Sequence, residues 1–103
     1  MHYGDVFIDG RIAISPLPVS SGKRAKIKYK GLLATSGATE LYMHCGYGSD
    51  WYHPMEIPME RVGEQVWEGQ VEIRGGDVLN VCFRDSAQNW DNNHGLNWSL
   101  PIS

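Results

Sequence analysis

The feature that most constrains this chain is a two-residue rhythm of apolar side chains, with no three-and-four rhythm anywhere beside it. In "ELYMHCGYG", Leu41, Met43, Cys45 and Tyr47 share one parity, and in "VLNVCFRD" so do Leu79, Val81 and Phe83. Alternation of this kind puts every second side chain on the same face of a strand. "AKIKYKGLL" alternates as well, with Lys26, Lys28 and Lys30 against Ile27 and Tyr29, and "VWEGQVEI" follows the same rule. "VFIDGRIAIS" reads as two short strands around Asp9-Gly10, a favoured hairpin turn. Gly75-Gly76-Asp77 marks the turn into the strand of Leu79, and "LNWSLPI" supplies a closing strand. Pro54 and Pro58 confine the segment between them to an edge or a loop. About seven strands with turn signals between them specify an all-β chain, an immunoglobulin-like antiparallel β-sandwich. A small barrel is the competing layout. With no linker or repeat, residues 1–103 are expected to form one domain.

Charge and cysteine placement narrow the function classes. The net charge of −3 argues against nucleic acid as a partner, because neutralising a phosphate backbone needs a basic surface. No run approaches the ~18 to 20 apolar residues of a membrane span, and no membrane partner is expected. The first ten residues have neither a basic n-region nor an apolar h-region, so no signal peptide is read there. Parity turns Cys45 toward the core and Cys82 to the opposite face. A bridge between them is not expected, and both read as free thiols in a reducing compartment.

The aromatic content points to binding. Four Trp and five Tyr stand against two Phe, and Trp and Tyr join an apolar body to a polar handle. Two of the tryptophans, Trp90 and Trp98, flank the polar stretch "QNWDNNHGLNW", where turn chemistry would ordinarily exclude them. His44 shares its outward parity with Tyr42 and Gly46, and the glycine is expected to leave the surface beside it open. Trp51 follows in the loop "GYGSDWYHP". His44, Trp51 and Trp90 can converge if their strands share a sheet. Indoles, amides and an imidazole suit a ligand with an apolar face and a polar rim, and a pyranose sugar is such a ligand. No cofactor and no metal is called for.

"LYMHCGYGSDW" followed by "VLNVCFRDSAQNWDNNHGLNW" resembles the starch-binding carbohydrate-binding modules of family 25 and the related family 53. The resemblance runs from Ala25 to Ile102. It implies a β-sandwich without catalytic activity that binds α-1,4-glucan such as starch, glycogen or maltooligosaccharides. It also implies a glucan-active enzyme domain in the parent context. It assigns carbohydrate binding to His44, Trp51, Trp90, Asn92 and Asn93, with Tyr42, Asp91 and Trp98 as secondary candidates. Trp98 stands where the family usually has Tyr, and is expected to pack over the end of the sandwich. Cys45 and Cys82 also depart from the family pattern. The location stays open: with no signal peptide read, a complete protein is expected in the cytoplasm, and a module excised from a secreted amylase outside the cell.

Other readings of the same residues are weaker. Trp67, on an alternating strand, reads as packing. One of Asn92 and Asn93 is expected to shape the turn itself, since Asn tolerates left-handed backbone. The Lys26, Lys28 and Lys30 run reads as a solvated strand face. Asp85 and Asp91, six residues apart in one loop, make a poor glycosidase pair. "DNNHG" lacks the closing Glu of a calcium loop, and His44, His53 and His94 have no zinc-site spacing. The alternative function is a β-sandwich that serves protein interaction or structure and binds no sugar.

Overall fold

A computed structural model describes residues 7–8, 11–15, 19–48, 50–74, 77–93, 95 and 97–102, apart from the side chains of Phe7, Ile8 and His53. The Asp9-Gly10 and Gly75-Gly76 turns lie outside the described residues. Among the described residues ten strands form two antiparallel sheets: β1 (Phe7–Ile8), β2 (Ile12–Ser15), β3 (Arg24–Tyr29), β4 (Leu41–Tyr47), β5 (Tyr52–Pro58), β6 (Glu60–Gly63), β7 (Val66–Glu72), β8 (Val78–Asp85), β9 (Trp90–Asp91) and β10 (Trp98–Pro101). One sheet runs β1-β2-β3-β7-β6. The other runs β10-β8-β4-β5, with β9 paired to β8. The chain is thus the immunoglobulin-like sandwich that its alternation specifies.

Parity decides which side chains meet between the sheets. Ile27 and Tyr29 from one sheet face Leu41, Met43, Cys45, Leu79, Val81 and Phe83 from the other, and all are buried. The ring of Tyr29 stacks on Phe83 with centroids 4.1 Å apart, and Trp98 meets Phe83 edge-on at 5.5 Å. Trp67 pairs across strands with Tyr29 and is buried in the same core. The segment between the prolines is β5, the edge strand of its sheet, where a missing N–H leaves no interior ladder broken.

The alternating pattern of "AKIKYKGLL" stops sooner than its apolar residues suggest. β3 ends at Tyr29, and Leu32–Thr35 form one helical turn, α1. Two contacts account for this. The backbone N–H of Leu33 donates to the Tyr29 hydroxyl at 3.0 Å. At Gly31 any Cβ would lie 2.6 Å from the Tyr29 ring and 2.8 Å from an Asp91 carboxylate oxygen. The chain turns there because the phenol and the carboxylate occupy the space a side chain would need.

Cys45 and Cys82 are both free and lie on opposite faces of one sheet, with Cys45 opposite Val81 and Cys82 opposite His44. Burial pushes the Cys45 thiol up to about 12. Cys82 rises to about 11, through burial first and then the nearby Asp91 carboxylate. Ellman's reagent should label neither thiol quickly in the native protein and both once it is unfolded, since the reactive thiolate is suppressed. Rapid labelling before unfolding would contradict the placement. Tyr29→Phe should lower stability by about 1–3 kcal/mol in urea melts, by leaving the buried Asp91 oxygen without its donor.

Candidate functional site

The outward parity of the β10-β8-β4-β5 sheet carries a run of chemically capable side chains. β4 presents Tyr42, His44 and Gly46, which pair across to Arg84, Cys82 and Asn80 of β8. β9 pairs with β8 past the end of β10, and its two residues alternate like any strand. Asp91 turns inward and is buried, so Trp90 turns outward and remains 45% exposed. The polar loop thus holds a tryptophan in the open because the next residue is anchored in the core. Asp91 accepts a hydrogen bond from the Tyr29 hydroxyl at 2.5 Å, across the two sheets.

Trp51 reaches the same face from the β4–β5 hairpin. Its N–H donates to the Gly48 carbonyl at 3.2 Å, and its φ is +53°. A left-handed backbone costs a non-glycine residue on the order of 1–2 kcal/mol. The strain places the indole directly on Gly46, where a Cβ would lie 2.5 Å from the Trp51 ring. Gly46 was expected to leave the surface beside His44 open. Instead, the missing side chain is the seat of the tryptophan.

Three rings therefore converge. His44 lies 5.6 Å from Trp51 at an interplanar angle of 30°, and 5.7 Å from Trp90 at 88°. The indoles flank the imidazole and stand steeply to one another. The Nδ1 of His44 is covered and has no hydrogen-bond partner among the described residues, with a Glu56 carboxylate oxygen 3.9 Å away, so the ring meets solvent by its other edge.

The asparagines separate. Asn93 adopts φ +55° and has both side-chain atoms committed: Oδ1 accepts from Arg11 at 2.6 Å, and Nδ2 donates to the Asn97 carbonyl at 3.1 Å. Asn92 is exposed. Its Oδ1 accepts from the Gly95 N–H, and its Nδ2 has no partner among the described residues. Trp98 is buried against Phe83, with the Arg11 guanidinium 4.9 Å from its ring centre. The structure thus brings together His44, Trp51 and Trp90, and places Asp91, Asn93 and Trp98 in the scaffold beneath them.

Tyr42 lies beyond His44 on the same face. The Arg84 guanidinium sits 4.3 Å from its ring centre. Arg84 also donates to both Glu56 oxygens, with Nε 2.7 Å from one of them. This pairing holds the Glu56 carboxyl below its ordinary range and the Arg84 guanidinium above its own. The ion pair was missed in the sequence, although Arg84 shares the outward parity of Cys82 and could have been read from it. At the loop entrance, Asp85 accepts from the N–H groups of Ala87 and Asn89 and from the Asn89 amide. Its carboxyl is lowered chiefly by Asn89. Among the described residues no group of three His, Cys, Asp or Glu could hold a metal ion, with His53's side chain and His94 outside that description.

Comparison with known proteins gives a family. Residues 25–81, more than half of the chain, match the starch/carbohydrate-binding module family 53. An alpha-amylase from Clostridium acetobutylicum is 33% identical over 81 residues, covering 78% of this chain and 10% of the amylase. The chain thus spans about a tenth of that relative's length. No solved structure matches.

The geometry makes Gly46→Ala informative. The added methyl must displace the Trp51 ring, so the near-UV circular dichroism and Trp emission should change, with a stability loss of about 1–3 kcal/mol. In a Trp51→Ala background the same substitution should cost clearly less, because only the Cβ of residue 51, 3.0 Å away, remains to be displaced. An equal cost in both backgrounds would show that the indole does not rest there.

Proposed function

The chain belongs to the starch/carbohydrate-binding module family 53, and from that membership we propose that it binds α-1,4-glucan without catalysing any reaction on it. The observation that carries the reading is the angled cluster of Trp51, His44 and Trp90. A pyranose offers a patch of C–H bonds on its face, and an indole covers that patch with gain from the apolar area removed from water. Two coplanar rings suit a flat β-1,4 chain. Two steeply set rings suit the curved turn of an α-1,4 chain.

Polar groups around the rings complete the fit. The open edge of His44 and the uncommitted Nδ2 of Asn92 can bond hydroxyls on a sugar rim. Asn93 acts by holding the loop, its Oδ1 accepting from Arg11 and one Nδ2 hydrogen going to the Asn97 carbonyl. Trp90, Asn92 and Asn93 lie beyond the matched residues 25–81. The likeness of this stretch to family 25 modules therefore belongs to the proposal rather than to the family match. The amylase relative supports a parent context in which such a module holds an enzyme domain on its polysaccharide.

The charged groups beside the rings, Arg84 and Glu56, are paired with one another, and the ligand is neutral. Maltooligosaccharide affinity should fall between ~1 mM and ~1 μM and should barely change with salt. Soluble starch or glycogen should retard the protein in affinity electrophoresis, and carboxymethylcellulose should not. Equal retardation by both would remove the α-glucan assignment. Trp90→Ala should abolish most binding with little change in melting temperature, because the ring it removes is exposed. Trp67→Ala should keep the binding face but cost about 3–5 kcal/mol of stability. The opposite pattern would make the Trp90 loop a structural plug.

A further inference from the structure

The outward face does not end at Trp51. On β8 the outward positions run Arg84, Cys82, Asn80, Val78, each step of two residues advancing about 6.6 Å along the sheet. Trp90 pairs with Arg84, His44 with Cys82, and Gly46, the seat of Trp51, with Asn80. The next position along this line is a groove of about 590 Å³ lined by Tyr47, Gly48, Tyr52, Asp77, Val78, Asn80 and Ser99. That volume has room for sugar rings.

The chemistry of the groove repeats that of the ring cluster. Tyr52 directly follows Trp51 in the chain and is 62% exposed, an aromatic side chain that the core does not use. Asn80 donates one amide hydrogen to the Gly48 carbonyl at 2.7 Å, and its Oδ1 accepts from the Ser99 hydroxyl at 2.8 Å. These bonds fix the floor and leave acceptor capacity on Ser99 and the second amide hydrogen of Asn80. The Asp77 carboxylate adds an acceptor at the rim. The Asn80 bond to Gly48 also anchors the hairpin loop from which Trp51 and Tyr52 project, so the two aromatics are held as one unit.

We propose that this groove is a further sugar-binding station, taking the glucose units that follow those seated on Trp90, His44 and Trp51. The proposal rests on the α-glucan reading above. Its occupant is the continuation of the same chain, because the groove adjoins the ring cluster at Asn80, which pairs with Gly46, and at Tyr52, the neighbour of Trp51, and it again sets an exposed aromatic face beside hydrogen-bonding groups, here Asn80, Ser99 and the Asp77 carboxylate. Tyr52 is then a determinant of chain-length preference. Short oligosaccharides fill the tryptophan cluster alone, and longer ones gain the second contact.

Calorimetric titration with maltotriose and maltoheptaose tests this on the parent, Tyr52→Ala and Tyr52→Phe. By the measure of one stacked ring, the parent should bind maltoheptaose about tenfold more tightly than maltotriose, and Tyr52→Ala should lose that gain while holding maltotriose within about twofold of the parent. Tyr52→Phe should keep the gain, since its ring face is intact. Ser99→Phe fills the groove from the opposite wall and should erase the gain with Tyr52 still in place, a check that does not depend on how Tyr52→Ala folds. A parent that binds both sugars equally overturns the station and leaves the starch reading standing. The same holds if Tyr52→Ala keeps the gain, or weakens both sugars alike. A parent that binds neither sugar overturns the reading and the station together.

Discussion

The phenol of Tyr29 and the carboxylate of Asp91 meet between the two sheets, and the outer face is organised from that contact. A buried carboxylate is costly unless it is hydrogen-bonded, and here its partner is a hydroxyl that is itself buried. Burial and the neighbouring carboxylate raise the Tyr29 hydroxyl far above its ordinary range, so it stays a donor across the working pH range. The same oxygen accepts from the Leu33 N–H, which seats α1, and excludes any side chain at Gly31. On β9, strand parity converts the burial of Asp91 into the exposure of Trp90. Two hydrogen bonds at one phenol oxygen thus fix a helical turn, a close-packed glycine and the direction of an exposed indole.

A second set of contacts holds the loop that follows. Arg11 reaches from one sheet to the Asn93 amide and lies against the Trp98 ring. Trp98 in turn rests on Phe83, inside the core. The left-handed backbone at Asn93 and Asn97 is affordable because Asn bears such geometry better than most residues. At Trp51 the same geometry falls on a residue with no such tolerance. There the packing of the indole on Gly46 offsets the strain, and exchanging Trp51 for glycine would relieve the backbone while removing the ring it positions.

Most of the sandwich was legible because its signal is local. Alternation in β4 and β8 separates Leu41, Met43 and Phe83 from His44 and Cys82 without any knowledge of the partner sheet. The convergence of His44 with Trp90 needed only that β4 and β8 be neighbours. What was not legible depends on contacts distant in sequence. Asn92 and Asn93 are the same residue type side by side, and only the contact from Arg11, 82 positions away, shows that Asn93 is tied into the scaffold. The end of β3 depends on Asp91, and the seat of Trp51 on a loop φ that no pattern of residue types announces. Cys82 faces outward as its parity requires, yet it is buried. Parity gives direction, and burial follows from what lies on top.

The ion pair beside the rings shows how this face stays chemically neutral while carrying charged residues. Glu56 lies across the strand from His44, and Arg84 lies across from Trp90 and over Tyr42. An exposed pair of this kind adds little to stability. Its consequence is local. With both carboxylate oxygens engaged by one guanidinium, neither charge is presented alone to a ligand, and Arg84 keeps its plane against the Tyr42 ring. An unpaired charge here would favour ionic partners and would resist the loss of water that stacking requires. Pairing removes that bias and leaves the indoles, the imidazole and the amides to recognise a neutral polyhydroxyl chain.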